Sequence, residues 1–233
     1  MKILVRQILW VLKILHRNNL ILISVAVTLI YVGIFYLLKG LPNMEWLLTL
    51  LIYNDPAIIG LFFMGLGYLM ERNQGILGAL IVTPQNLHTY LIARIISFSL
   101  IGGLCALGMA FAVLGVDFHI IPFFAGVFLT STLFCMLGVG IAVYSTEFLL
   151  FLLRSIPVLI LMSLPLLAYY QLFDSELFEL FPIQGPLKLI TSSYEADSFT
   201  NNLFWQYLRS FSWVLLAYGI LYRFMKRHWA RGL

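Results

Sequence analysis

The stretch LLTLLIYNDPAIIGLFFMGLGYLM, residues 47–70, runs directly into ERNQGILGALIVTP, residues 71–84. The first part is long enough to cross the hydrocarbon core of a bilayer, which takes about 20 apolar residues. The second part is shorter and partly polar, begins with two adjacent charges and ends at a proline. Together they predict a membrane span that ends in a water-facing segment, where a soluble partner can reach it.

The composition of the whole chain agrees with this prediction. Hydrophobic residues make up 62% of the 233 residues and charged residues 10%, whereas a soluble domain carries about 25% charged residues. Lipid must therefore be the solvent, and residues 1–233 are predicted to form a single transmembrane domain. The basic residues cluster beside apolar runs, so we expect membrane lipids and no nucleic acid as partners.

Six apolar runs predict an all-α membrane fold of about six transmembrane helices. They are Leu20–Leu38, Leu47–Met70, Tyr90–Leu114, Ile120–Tyr144, Phe148–Gln171 and Leu203–Phe224. Residues 1–19 precede them, and their basic side chains recur at helical spacing, at Lys2, Arg6, Lys13 and Arg17. This stripe favours an amphipathic helix lying in the membrane interface over a simple basic flank of the first span.

The distribution of Lys and Arg predicts the orientation. Only Lys39, Lys188 and Arg209 fall on one side of the predicted spans, and the other basic residues fall on the opposite side. Cytoplasmic loops are enriched in Lys and Arg. We therefore expect a multi-pass protein of the plasma (inner) membrane with both termini in the cytoplasm. Residues 71–89 are then cytoplasmic, and the loop 172–202 lies outside.

Asp55 and Arg154 are charged residues inside predicted spans that could have a functional role. A charge at the depth of Asp55 is costly, so its carboxylate must face protein or water. Alternatively, the helix begins at Pro56, a favoured first-turn residue, and Asp55 caps it in the aqueous phase. Arg154 stands near the start of the fifth span and is predicted to extend to the cytoplasmic surface.

The sequence lacks three short motifs that mark catalytic or nucleotide-binding sites in many enzymes. It has no G-x-x-x-x-G-K-[ST] phosphate loop, no H-E-x-x-H zinc motif and no G-x-S-x-G nucleophile motif. Its four histidines are scattered near the ends of the spans. We therefore expect no catalytic residue, no metal site and no cofactor in this chain, and it is not predicted to be an enzyme.

The water-facing segment carries a resemblance to a known family. Its pattern Glu-Arg-x-x-Gly-x-Leu-x-x-Leu-x-Val-Thr-Pro resembles the stretch after the second span of ABC-2-type transporter permeases. The residues that match are Glu71, Arg72, Gly75, Leu77, Leu80, Val82, Thr83 and Pro84. The basic N-terminus and the long loop before the last span are similar too. Asp55 and Pro56, followed by an apolar run, resemble the small drug-export members such as fluoroquinolone-export permeases. The chain departs from the common pattern at Asn73, Gln74 and Ile76.

This resemblance implies a division of labour between subunits. The chain would be the permease, paired with a second permease copy as a homo- or heterodimer, and a separate ABC ATPase subunit would bind ATP and Mg²⁺. A coupling helix within residues 71–89 would contact that ATPase through Glu71, Arg72, Gly75, Leu77, Leu80, Thr83 and Pro84. Asp55 and Pro56 would line the translocation path. Pro182 and Pro186 would belong to a re-entrant outer loop that acts as a gate.

The resemblance further implies export of a hydrophobic or amphipathic, drug-like compound, with haem or lipid export as related alternatives. Two other classes of protein remain open on the residues alone. One is a membrane assembly or anchor protein that transports nothing and needs no ATPase. The other is an ion-coupled carrier that works without an ATPase and uses Asp55 as its ion site.

Overall fold

A computed structural model describes residues 2–38, 44–81, 86–173, 176–194 and 203–230. Every regular element in these ranges is helical, which confirms the predicted all-α fold. The α-helices are α1 (Lys2–Arg17), α2 (Leu20–Leu37), α3 (Met44–Ala57), α4 (Gly65–Asn73), α5 (Ile76–Ile81), α6 (Leu87–Leu114), α7 (Ile120–Tyr144), α8 (Phe148–Ser163), α9 (Pro165–Tyr169), α10 (Gln184–Thr191) and α11 (Leu203–Ala230). A π-helical segment, Ile58–Met64, joins α3 to α4, and Glu176–Leu180 forms a 3-10 turn.

Within the described ranges, five helical stretches are long and apolar enough to cross a membrane. They are Leu20–Leu37, Trp46–Asn73, Leu87–Leu114, Ile120–Tyr144 and Phe148–Tyr169. The sixth predicted span forms the 28-residue helix α11, which would extend about 42 Å at 1.5 Å per residue. Its hydropathy is lower because it carries Arg209, Gln206 and several basic residues near its end. That α11 crosses the membrane stays a prediction.

The second span is continuous through its proline. The helix begins at Met44 and passes through Pro56 into the π-helical segment and then into α4. The alternative in which a helix starts at Pro56 and Asp55 caps it in water is therefore wrong. The fifth span is instead interrupted at Leu164, between α8 and α9, because Pro165 has no backbone N–H to continue the helical hydrogen bonds.

Helix α7 lies at the centre of the bundle. It packs against α3, the π-helical segment, α4, α6, α8, α10 and α11. Small residues make this possible, since backbones in a membrane approach closely only where side chains are short. A Cβ atom added to Gly60 would lie 2.9 Å from the Ser131 carbonyl oxygen, and one added to Gly126 would lie 2.8 Å from that of Pro186. By contrast, α2 and α8 expose most of their apolar surface.

Two neighbouring glycines of α7 give a test of this packing. A Cβ atom on Gly138 would collide with the Leu61 carbonyl oxygen, which is backbone and has little freedom to move. One on Gly140 would lie 4.0 Å from the Leu221 Cδ1 atom, an ordinary contact. We expect Gly138→Ala to lower the free energy of unfolding by about 1–3 kcal/mol, as overpacking does. Gly140→Ala, the matched control, should leave the thermal midpoint in detergent unchanged or slightly higher. Equal midpoints for the two variants would contradict the close packing.

The helices define two ends of the bundle. At the "Glu71 end", α4 and α7 end and α6 and α8 begin. At the far end, the His119 backbone N–H donates to the Ser193 carbonyl at 2.9 Å. Arg72 and Arg154 both donate to carbonyls where α7 ends, and Arg94 pairs with Glu71. The structure thus groups these basic residues at one end, as the predicted sidedness requires. Which face of the membrane that end occupies stays a prediction.

The N-terminal segment forms the predicted amphipathic helix, α1. Val11 and Leu15 are buried in the main hydrophobic core, and α1 packs against α6. Lys13 and Arg17 are exposed on the opposite face. One face of α1 is therefore anchored to the bundle, while its basic face remains open. Its position in the membrane interface stays a prediction.

Candidate functional site

Glu71, near the end of α4, lies against α6 rather than facing outward. Its carboxylate forms a salt bridge with the Arg94 guanidinium and accepts a hydrogen bond of 2.6 Å from the Tyr90 hydroxyl. The guanidinium also lies over the Tyr90 ring, 5.1 Å from its centroid. The Arg94 side chain is 9% exposed and that of Glu71 19%. A charge pair this sheltered depends on both partners, because removing one leaves the other unpaired in a poorly solvated site.

Arg72, the next residue, holds the end of α7. Its guanidinium donates to the carbonyl oxygens of Ala142 at 3.2 Å and Val143 at 3.0 Å, and also to that of Ser145. The last carbonyls of a helix have no partner within the helix and carry its negative partial charge. Arg72 satisfies them and joins α4 to α7. We call Glu71, Arg72 and Arg94 the "clamp", since they fix α4 to α6 and α7.

The part of the predicted coupling segment that is open to a partner lies just beyond the clamp. Asn73, Gln74, Gly75, Ile76 and Gly78 are all exposed, and together they form what we call the "exposed turn". Gly75 has a φ of +74°, a conformation that residues with a side chain rarely adopt. This residue ends α4 and lets α5 begin in a new direction. Leu77 is fully buried and anchors α5 to the core.

These positions divide the predicted coupling residues into two groups. The structure places the side chains of Glu71, Arg72 and Leu77 inside the bundle, where they hold the segment in place. Gly75 lies on the surface, beside Asn73, Gln74 and Ile76, which depart from the family pattern. Thr83, Pro84 and the Leu80 side chain lie outside the described residues. Within the predicted segment 71–89, residues 71–73 end α4, Ile76–Ile81 form α5, and residues 87–89 already belong to α6.

Asp55 is buried within the candidate span Trp46–Asn73. The residue is 2% exposed, and it lies about 14 Å along the helix from Trp46 at 1.5 Å per residue. No described residue offers a hydrogen bond to its Oδ2 atom. Burying a carboxyl oxygen without a partner is costly, and acidic residues within spans usually serve function. The adjacent Asn54 points elsewhere, with its Nδ2 atom 3.5 Å from the Tyr31 hydroxyl.

Other small polar groups lie near Asp55 in the interior. The thiol of Cys105, on α6, interacts with the Thr28 hydroxyl and lies within electrostatic range of Asp55. Ser131, on α7, is fully buried. A Cβ atom on Gly102 would lie 3.2 Å from the Ser131 Oγ atom and 4.0 Å from the Pro56 Cα atom. A polar interior thus extends from Asp55 across α6 to α7. Sequence reasoning missed Thr28 and Cys105 because each stands alone in an apolar run. It missed Ser131 because this residue is one of three small polar residues, Thr130–Thr132, inside an apolar span.

The two prolines of the predicted outer gate lie at the far end. Pro186 is buried in the first turn of α10, a short helix packed between α7 and α11. Pro182 is half-buried just before α10. On the surface beside them, Lys188 pairs with Glu179 at 2.8 Å, and this hydrogen bond lowers the pKa of Glu179. The structure brings Pro182 and Pro186 together on one compact element, and their gating role stays a prediction.

Among the described residues, no group of three or more His, Cys, Asp or Glu side chains lies close enough to hold a metal ion.

Comparison with known proteins gives two findings. The model of the fluoroquinolones export permease protein family matches residues 3–233. Two fluoroquinolones export permease proteins of Mycobacterium tuberculosis, from strains CDC 1551 / Oshkosh and ATCC 25618 / H37Rv, are each 30% identical over 146 residues. Each match covers 62% of this chain and 62% of the relative, less than two thirds of its length. No solved structure matches the chain.

Proposed function

Because the chain belongs to the fluoroquinolones export permease protein family, we propose that it is the membrane permease subunit of an exporter of hydrophobic or amphipathic, drug-like compounds. Its two mycobacterial relatives are fluoroquinolones export permease proteins, which points to fluoroquinolones as such compounds. The observation that carries the proposal is the exposed turn: it connects two apolar spans, is open to a partner and is rigidly held by the clamp. An anchor protein that transports nothing has no need of such an element.

We further propose that a separate ATPase drives the transport. The sequence contains no phosphate-binding loop, so ATP and Mg²⁺ would be bound and ATP hydrolysed in a partner subunit. In this proposal the ATPase docks on the exposed turn, on the cytoplasmic side where both termini also lie. A second permease copy completes the membrane path. The chain itself catalyses no covalent reaction.

The clamp gives this docking a mechanical consequence. Glu71 links α4 to α6 through Arg94, and Arg72 links α4 to the end of α7. A force on the exposed turn therefore acts on three spans at once instead of bending a loop. Since Asp55 lies on the same helical span as Glu71, tilting that span would also move the polar interior. We propose that ATP-driven motion reaches the translocation path by this route.

A substitution in the exposed turn tests the docking proposal. Ile76 is 41% exposed, and we expect Ile76→Asp to reduce co-purification with the cognate ATPase by about tenfold or more, as loss of a docking anchor does. The permease should keep its thermal midpoint, since the side chain is not in the core. ATP turnover stimulated by the permease should fall in parallel.

The control for this experiment is Val116→Asp. Val116 is 82% exposed in the turn between α6 and α7, at the far end of the bundle, so its substitution should leave ATPase binding unchanged. If Ile76→Asp binds the ATPase as tightly as the parent protein does, the exposed turn is not the docking site. Glu71 and Arg72 are unsuitable for this test, because their substitution would disturb the clamp itself.

One observation favours a second candidate function, an ion-coupled carrier. The Asp55 carboxyl group, whose Oδ2 atom has no hydrogen-bond partner among the described residues, lies near other polar side chains within a candidate span, as an ion or proton site requires. Efflux driven by an ion gradient in liposomes that contain this permease and no ATPase would support the carrier. The ABC proposal requires that such liposomes transport nothing until ATPase and ATP are added.

A further inference from the structure

A groove runs along the side of the bundle, between α7, α8 and α11. It encloses about 720 Å³ and is lined almost wholly by apolar side chains, with Met162 on α8 and Trp213 and Ala217 on α11 among them. Leu133 and Tyr144 mark its extent along α7. Eleven residues of helix at 1.5 Å each give a length of about 16 Å. This is close to half of the hydrocarbon thickness of about 30 Å, the depth of one lipid leaflet.

The groove opens sideways, where lipid surrounds the protein. Both of its walls continue into apolar surface that is exposed in the structure: Leu153 and Ile160 on α8, and Leu216 and Ile220 on α11. A cavity that opens this way in a membrane is accessible to acyl chains without any rearrangement. It is separate from the polar interior around Asp55, because Asp55 does not line it.

A single cation stands among the residues that line the groove. Arg154, in the second turn of α8, donates one hydrogen bond to the Tyr144 carbonyl oxygen, which fixes its guanidinium at the Glu71 end. Among the described residues it has no acidic partner, since the salt bridges there are those of Arg94 and Lys188. Arg carries five N–H donors in a planar fork that suits a phosphate group. Most of these donors therefore remain available at the mouth of the groove.

We propose that this groove is a binding site for an anionic phospholipid, with an acyl chain in the apolar channel and the phosphate group on Arg154. The length of one leaflet, the lateral opening and the cation at the membrane-edge end all fit this ligand. A second copy of the chain fits less well, because packing it over Arg154 would strip water from an unpaired guanidinium. The proposal depends on the membrane location of the chain and on no assumption about the transported compound.

The test compares lipid classes on the purified full-length protein. Dioleoylphosphatidylglycerol or dioleoylphosphatidylcholine is added to protein in detergent, and bound lipid is counted by native mass spectrometry alongside the thermal midpoint. We expect the parent protein to retain phosphatidylglycerol more strongly than phosphatidylcholine. Arg154→Gln should weaken phosphatidylglycerol retention about fivefold, with no change for phosphatidylcholine, while Arg154→Lys should keep part of the preference.

Two further variants separate the site from general effects of charge and folding. Arg223 is exposed near the same end but does not line the groove, so Arg223→Gln should leave the preference unchanged. Ala217→Phe fills the groove and should weaken retention of both lipids. Equal retention by Arg154→Gln and the parent protein would overturn the proposal. So would a change of oligomeric state in Ala217→Phe without loss of lipid, which would assign the groove to a second copy.

Discussion

Replacing Glu71 with Gln should lower the free energy of unfolding by about 3 kcal/mol, because it leaves the sheltered Arg94 guanidinium without a counter-charge. Glutamine keeps the size of the side chain and an acceptor for the Tyr90 hydroxyl. The decrease in the free energy of unfolding therefore measures the loss of charge and not a change in packing. Thermal and denaturant unfolding of the purified permease in one detergent measure it. We also expect Glu71→Gln to reduce export from vesicles that contain the permease and its ATPase, since a loosened α4 no longer fixes the exposed turn.

The Lys188–Glu179 pair at the far end provides the matched control. Its side chains are 38% and 61% exposed, and exposed ion pairs contribute about 0–1 kcal/mol. Glu179→Gln should therefore change stability far less than Glu71→Gln. The double substitution Glu71→Leu with Arg94→Met should be less destabilising than Glu71→Gln alone, because it removes both charges together. A Glu71→Gln protein as stable as the Glu179→Gln protein would show that the clamp charges contribute little.

Asp55→Leu should reduce the rate of export by more than about tenfold, without lowering the stability of the protein. The substitution removes a buried carboxyl group that has no hydrogen-bond partner for its Oδ2 atom among the described residues, and burying such a group costs free energy. The thermal midpoint should therefore stay the same or rise, as it often does when a functional polar residue is replaced. Efflux of a fluorescent fluoroquinolone from vesicles that contain the permease and its ATPase, measured beside the midpoint, separates the two effects.

The substitution Ser155→Ala is the control. It tests whether the loss of any buried polar group reduces export. Ser155 is fully buried in α8, and its hydroxyl already donates to the Phe151 carbonyl at 2.8 Å, so export should be unaffected. If Asp55→Leu exports as well as the parent protein, Asp55 does not lie on the path. A fall in both export and stability would mean that Asp55 is needed for folding, and the path would have to be sought elsewhere.

The helices were predictable because a helix that crosses lipid needs about 20 consecutive apolar residues. The bounds predicted for the fourth span, Ile120–Tyr144, agree with those of α7, since a sharp turn precedes it and a charged residue follows it. Whether a proline ends a helix or is tolerated inside it depends on tertiary contacts, which the sequence does not show. Pro165 ends a helix, whereas Pro56 is accommodated inside one, where packing against α7 supports the wider π-helical turns that follow.

The candidate site was predictable as a segment but not as a set of contacts. The motif located the turn after the second span, and the sequence gives no sign that Arg72 would meet carbonyls 70 residues away. The sequence also does not show that Asn73, Gln74 and Ile76 are exposed. These three residues depart from the family pattern. A pairing such as Glu71 with Arg94 arises from how α4 and α6 meet, and a single sequence does not contain that information.

The π-helical segment Ile58–Met64 sets the rotational phase between the two halves of its span. Sixteen residues separate Asp55 from Glu71, and in a regular α-helix of about 100° per residue they would point about 160° apart. Both nevertheless interact with α6, Asp55 because it lies within electrostatic range of Cys105 and Glu71 through its salt bridge with Arg94. We attribute this to the π-helical turns, which take up extra residues and turn the later half back. Deleting one residue from this segment would shift that phase and turn one of the two carboxyl groups away. The π-helical segment therefore sets the rotation between the two halves of the span. This rotation keeps both the clamp and the polar interior directed toward the bundle.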